Sequence, residues 1–137
     1  MPAVFADTAY WIALLNPRDN LHAKAVAVSK KLTRHRIVTS EMVLTELLNA
    51  FAAKGDILRI RTCELIDRIR SNPNATVVNM THFTFEAALH LYRTRTDKTW
   101  GLTDCTSFVI MDEEDLTEAL TADRDFLQAG FRVLLAG

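Results

Sequence analysis

The sequence predicts an α/β fold: a central, mostly parallel β-sheet of about five short strands flanked by helices, three layers in all. Three observations predict it. Short apolar or β-branched stretches alternate with longer segments of helical period, the pattern of parallel strands joined by crossover helices. Pro17, Gly55, Pro73, Gly101 and Gly130 punctuate the chain, and no repeat, low-complexity tract or linker interrupts it. The 137 residues, 49% hydrophobic and 24% charged, suit a single globular domain over residues 1–137. A chain of this size buries roughly two-thirds of its unfolded surface, enough for a core without staples.

Val4-Phe5-Ala6 is a short apolar first strand, and Thr8 to Leu15 reads as helix. A second helix fits Asn20 to Thr33. Arg36 to Thr39 (RIVT) is a strand, followed by an apolar helix from Glu41 to Ala53. Asp56 to Arg70 has helical spacing at Ile57, Ile60, Leu65 and Ile69. Ala75 to Met80 (ATVVNM) is β-branched and reads as a strand, with Thr81 as N-cap of a helix to about Arg95. After Gly101, Thr103 is expected to cap another apolar helix. Glu118 to Thr121 is then a strand, Asp123 to Gln128 a short helix and Phe131 to Leu135 a last strand. Tyr10, Trp11, Phe51, Phe83 and Phe85 are expected in the core, and Asp112 to Glu118 in a solvated turn. Right-handed crossovers place helices on both faces of such a sheet. Ligands then collect beyond the carboxyl ends of the strands.

Sixteen Lys and Arg against 17 Asp and Glu give a net charge of -1, which excludes a polybasic nucleic-acid arm or membrane-surface protein as a whole-chain description. The longest apolar run, Ala9 to Leu15, is far short of the roughly 20 residues of a membrane span. No Lys or Arg precedes Arg18 and Asp7 breaks the apolar start, unlike a secretory signal. A cytoplasmic protein with no membrane partner is expected, with Cys63 and Cys105 as reduced thiols. His22, His35, His82 and His90 lack the spacing of a zinc site.

Three acids fall at the predicted carboxyl edge. Asp7 follows the first strand and Asp123 the fourth; each is also a favoured helix N-cap residue. Asp104 lies in the first turn of its helix, where a carboxylate complements the dipole whatever its function. Glu46 differs, because its helix, EMVLTELLNAFAA, is apolar around most of its circumference. Met42, Val43, Asn49 and Ala50 are its helical neighbours. A buried carboxylate there must be neutral, paired or bound to a cation; a surface notch or an ion pair is the plainer alternative. Converging carboxylates repel, and a hard divalent cation such as Mg²⁺ removes the conflict. The chemistry that follows is metal-assisted phosphodiester hydrolysis, which needs no Ser, Cys or His nucleophile.

These residues resemble the motifs of the PIN-domain ribonucleases, most similarly the VapC-type toxins of prokaryotic toxin–antitoxin pairs. VFADTAYWIALL carries Asp7 and Thr8, and TSEMVLTELLNAF carries Glu46 and Asn49. WGLTDCTSFVIM carries Asp104 and Ser107, and ALTADRDFLQAGF carries Thr121, Asp123 and Phe126. The four motifs stand in family order and span nearly the whole chain. The resemblance implies a PIN-like fold and an endoribonuclease dependent on Mg²⁺ or Mn²⁺. It implies Asp7, Glu46, Asp104 and Asp123 as the metal-binding and catalytic acids. Thr8, Asn49, Ser107 and Thr121 then orient carboxylates or touch phosphate. Asp125, two residues past Asp123, is an alternative fourth acid, although Thr121 and Phe126 favour Asp123 by register. The family often dimerises, and its toxins are blocked by a cognate antitoxin, so RNA, a homodimer partner and an antitoxin are the implied partners.

For the RNA, YRTRTDKTWG places Arg93, Arg95 and Lys98 just ahead of Asp104, with Trp100 available to stack on a base. KKLTRHR, from Lys30 to Arg36, is a second basic cluster; solvated faces are the plainer reading of both. A catalytically silent PIN-like module that binds RNA or a protein is the alternative function. A phosphoacceptor receiver domain fits less well, since Asp7 is followed by Thr8 and Ala9 and the third strand ends without an Asp.

Overall fold

The computed structural model describes residues 1–136. Its first half runs β1 (Ala3–Ala6), α1 (Thr8–Leu15), α2 (His22–Lys31), β2 (Arg36–Ser40), α3 (Glu41–Phe51) and α4 (Asp56–Ser71). The second half runs β3 (Ala75–Val78), α5 (His82–Thr94), α6 (Leu102–Glu113), β4 (Glu118–Leu120), α7 (Arg124–Gln128) and β5 (Arg132–Val133). Val4, Phe5 and Ala6 are completely buried, as a central strand covered on both faces must be.

The strand order is β3-β2-β1-β4-β5 with every pair parallel, so the sheet expected to be mostly parallel is wholly so. The chain steps from β1 through β2 to β3, then recrosses to β4 on the far side of β1. That reversal makes the carboxyl ends of β1 and β4 the switch point, where a crevice opens. Right-handed crossovers divide the helices between the faces. Accordingly α1 packs with α2, α3 and α4, while α6 packs with α5 and α7. Contact also runs between α3 and α6, which brings the helices of Glu46 and Asp104 together.

Several boundaries differ from expectation for local reasons. α2 starts only at His22, because the Asp19 side chain accepts from the Leu21 amide in a turn at 2.9 Å. β3 stops at Val78, and the Met80 amide instead donates to Glu41 Oε1 at 2.7 Å. β5 keeps only two residues, Arg132 and Val133. In α4 the inward stripe is Leu58, Thr62, Leu65, Ile66 and Ile69, so Ile57 and Ile60, which fall off it, are 63% and 56% exposed. Phe83 and Phe85 flank the buried Thr84 of α5 and face solvent rather than the core. Tyr10, Trp11 and Phe51 are buried as expected. Thr81 caps α5, its hydroxyl accepting from the Thr84 amide at 3.1 Å. Thr103 does not cap α6: that position belongs to Gly101, because the Asp104 carboxylate receives the Gly101 amide.

Candidate active site

Asp7 leaves β1 at the switch point and takes the N-cap position of α1 with extended backbone. Its carboxylate makes no capping bond to that helix. It accepts instead from the Thr121 hydroxyl at 2.9 Å, across the β1–β4 crevice. The same hydroxyl accepts from the Asp123 amide at 3.1 Å, so one buried threonine ties the ends of two motifs. Asp7 is only 6% exposed. Burial pushes its pKa up to about 6; the Thr8 amide and the Thr121 hydroxyl oppose that, and Glu46 and Asp123 add repulsion.

Asp104 is the third residue of α6, where its Oδ2 accepts the Gly101 amide at 3.1 Å. It is half-buried, and burial raises its pKa to about 7; the Gly101 amide opposes the rise, while Asp123, Asp7 and Asp125 reinforce it. Asp123 caps α7, its Oδ1 accepting from the Asp125 amide at 2.9 Å. The capping role and the place in the acidic cluster are therefore both real. One carboxylate oxygen each from Asp104, Asp123 and Asp125 lie within 4.8 Å of one another. The structure brings Asp123 and Asp125 alike to Asp104.

Glu46 sits elsewhere than expected. The stripe of α3 that turns inward is Val43, Leu44, Leu47 and Phe51, and Glu46 falls off it into solvent. Its charge still reaches Asp7. Asn49, one turn on, is exposed and lines a groove with Phe51 and Thr62. The Thr8 and Ser107 hydroxyls are buried without a hydrogen-bond partner among the described residues. Such groups are uncommon and need an explanation.

Trp100 does not offer a face to a base. It is 6% exposed, packed edge-on against Phe108 with centroids 4.9 Å apart, and its Nε1 donates to Gln128 at 3.2 Å. An indole at the head of an apolar helix gains more by burial than by exposure. Arg95 lies over that ring, its guanidinium carbon 5.0 Å from the centroid, and pairs with Asp97. Lys98 lines the same pocket as Arg95, whereas Arg93 is exposed on the last turn of α5. The Lys30–Arg36 cluster precedes β2, at the amino edge of the sheet and opposite the acids.

Two supports of the site escaped sequence reasoning. The Gly101 amide that anchors Asp104 belongs to the backbone and leaves no side-chain signal. Thr39, completely buried at the end of β2, donates to the Ala6 carbonyl at 2.9 Å and accepts from Trp11 Nε1 at 3.3 Å, which fixes the strand end that carries Asp7. Its only sequence mark is a polar residue closing an apolar strand.

A family model described as "PIN domain" matches residues 4–132. The 23S rRNA-specific endonuclease VapC20 of Mycobacterium tuberculosis is 30% identical over 136 residues, covering 93% of this chain and 95% of that protein. The crystal structure of M. tuberculosis VapC20, a Sarcin-Ricin loop cleaving toxin, superposes with a TM-score of 0.83 at 26% identity, covering 93% of this chain and 95% of that one. FitAcB from Neisseria gonorrhoeae shares the fold, with a TM-score of 0.69 at 17% identity and 96% of both chains covered.

Proposed function

The chain belongs to the PIN-domain family, and on that premise we propose that it is a divalent-metal-dependent endoribonuclease, the toxin of a toxin–antitoxin pair. The carrying observation is the meeting of Asp104, Asp123 and Asp125 at the switch point, beside a buried Asp7 that feels both Glu46 and Asp123. An all-oxygen donor set of this charge fits a hard cation, Mg²⁺ or Mn²⁺. The unpartnered hydroxyls of Thr8 and Ser107 fit the same reading, as neutral oxygens beside the acids in sequence.

Asp7, Glu46, Asp104 and Asp123 would hold the ion, with Asp125 as a further ligand. A divalent ion held there would supply a water of lowered pKa and stabilisation of negative charge on the phosphate. The protein's own part is to keep the carboxylates in place beforehand. Thr121 holds Asp7, the Gly101 amide holds Asp104, and the cap bond to Asp125 holds Asp123. Thr8, Asn49 and Ser107 orient a carboxylate or meet phosphate, and Arg93, Arg95 and Lys98 meet the RNA. Asp7 and Asp104, raised to about 6 and about 7, would give up protons to such an ion. A side-chain nucleophile is not needed. Cys105, next to Asp104 in the chain, is buried, and burial together with Asp104 keeps its thiol protonated.

The test is cleavage of cellular RNA with Mg²⁺ or Mn²⁺, beginning with 23S rRNA, the substrate named for the M. tuberculosis relative. EDTA and Asp7→Asn should each abolish cleavage, and activity that survives both overturns the metal reading. Ion-dependent stabilisation without cleavage would favour the silent RNA- or protein-binding module. An antitoxin and a second copy of the chain are the protein partners in this reading, in the cytoplasm. The exposed Leu48 of α3 and Ile57 and Ile60 of α4 offer them apolar surface. No helix among the described residues is long and apolar enough to cross a membrane.

A further inference from the structure

The segment between α5 and α6 forms a pocket of about 330 Å³ lined by Tyr92, Arg95, Lys98 and Trp100, with Cys105 of α6 at its side. That is the small end of the range for ligand pockets, roughly 300–1,000 Å³. Its floor is built in layers. Trp100 is fixed by Phe108 and Gln128, and the Arg95 guanidinium lies over its ring. Asp97 then takes Nε and Nη2 of Arg95 at 3.0 and 3.1 Å, which stops the plane from turning.

This arrangement decides what Arg95 can do. Asp97 takes the Nε–Nη2 edge of its guanidinium, which leaves only the Nη1–Nη2 end for a phosphate. The Arg95 guanidinium carbon stands 5.0 Å from the Trp100 ring centroid, and the side chain is 40% exposed where it lines the pocket. Asp97 also cancels one of the two positive charges, so a bare phosphate is a poor occupant. Tyr92, 53% exposed, adds an aromatic wall. Arginine planes and aromatic rings are surfaces on which unpaired RNA bases stack.

We propose that the guanidinium of Arg95 is a stacking platform for one unpaired nucleobase of single-stranded RNA. The substrate class rests on the nuclease reading above; the subsite itself rests on the Trp100–Arg95–Asp97 arrangement. The pocket meets α6 at Cys105, the residue after Asp104 in the chain. Trp100 and Asp97 are positioning residues, and Arg95 and Tyr92 touch the base.

The probe is a short single-stranded RNA carrying 2-aminopurine, bound to full-length protein made inactive by Asp7→Asn. Saturable quenching of the 2-aminopurine is expected. Adding Arg95→Lys keeps the charge and removes the plane. It should abolish the quench and weaken binding about tenfold, the order expected for one lost base stack, while leaving the salt dependence of binding unchanged. An unchanged melting temperature in Arg95→Lys shows that the fold is intact, as expected for an exposed pair. Two results overturn the subsite: no quench with Arg95 in place, or a quench and affinity that Arg95→Lys leaves unchanged. In the active protein, Arg95→Lys should raise KM and spare kcat. Cleavage with an unaltered KM removes the subsite and keeps the nuclease; Arg95-dependent quench without any cleavage removes the nuclease and keeps the subsite.

Discussion

Thr121 and Asp7, 114 residues apart in the chain, share a hydrogen bond of 2.9 Å that closes the crevice between β4 and β1. The hydroxyl donates to a carboxylate and so favours its charged form. Thr121→Val keeps the shape and removes both this bond and the one from the Asp123 amide. The pKa of Asp7 should rise beyond about 6, and the protein should lose roughly 1–3 kcal/mol of stability. Carboxyl NMR titration and urea unfolding measure the two effects. An Asp7 that titrates as before would show that the bond does not hold its charge.

The raised acids predict an unusual pH dependence of stability for the metal-free protein. Asp7 moves from 3.8 to about 6 and Asp104 from 3.8 to about 7 on folding. Between about pH 4 and pH 7 the native state therefore binds more protons than the unfolded chain, and stability falls as pH rises. The Asp7 displacement alone corresponds to roughly 3 kcal/mol; Asp104 adds less than its displacement implies because solvent screens it. Melting in EDTA should give a higher Tm at pH 5 than at pH 8. The reverse order would contradict the burial of these charges.

Ion binding should run the other way with pH, since the ligands must shed protons. Mn²⁺ should raise Tm more at pH 8 than at pH 5, by about 2.7 kcal/mol in stability at a hundredfold excess over Kd. Asp123→Asn and Asp125→Asn should each reduce that gain, because both oxygens lie in the same cluster. Asparagine still caps α7 at residue 123, whereas Asp123→Ala also loses the cap and about 1 kcal/mol. Full Mn²⁺ response in Asp125→Asn would leave Asp123 as the fourth acid alone.

Glu46 offers a clean separation of activity from stability. It is exposed, so Glu46→Gln should change stability by less than about 0.5 kcal/mol. Cleavage should nevertheless fall at least about a hundredfold, on the scale of a lost transition-state charge contact. Matched denaturation and cleavage assays decide it, and near-normal cleavage would remove Glu46 from the site.

The Gly101 amide provides the last prediction. A Cβ at Gly101 would meet Asp104 Oδ2 at an ordinary 3.9 Å, and its backbone is extended, so Gly101→Ala should be tolerated. Gly101→Pro deletes the amide that Asp104 accepts. The pKa of Asp104 should then climb above about 7, which moves the onset of Mn²⁺ binding to higher pH. Equal onset in the alanine and proline variants would show that the amide contributes nothing.

The amino-acid sequence by itself determined the α/β alternation, the apolar centre of β1 and the positions of Asp7, Asp104 and Asp123 just past strand or helix junctions. These are local properties, set by period, turn residues and capping chemistry within a few residues. The tertiary structure decided the rest, because it depended on which elements meet. Glu46 looked buried in an apolar helix, but only one stripe of α3 turns inward and Glu46 lies off it. Trp100 looked like a base platform, but Phe108 and Gln128 hold it in the core. Along the chain the register of Thr121 and Phe126 favoured Asp123 over Asp125, and the packing of α6 against α7 brings both to Asp104. The capping reading of Asp7 was equally sound locally; only the return of the chain to β4 shows that its partner is Thr121.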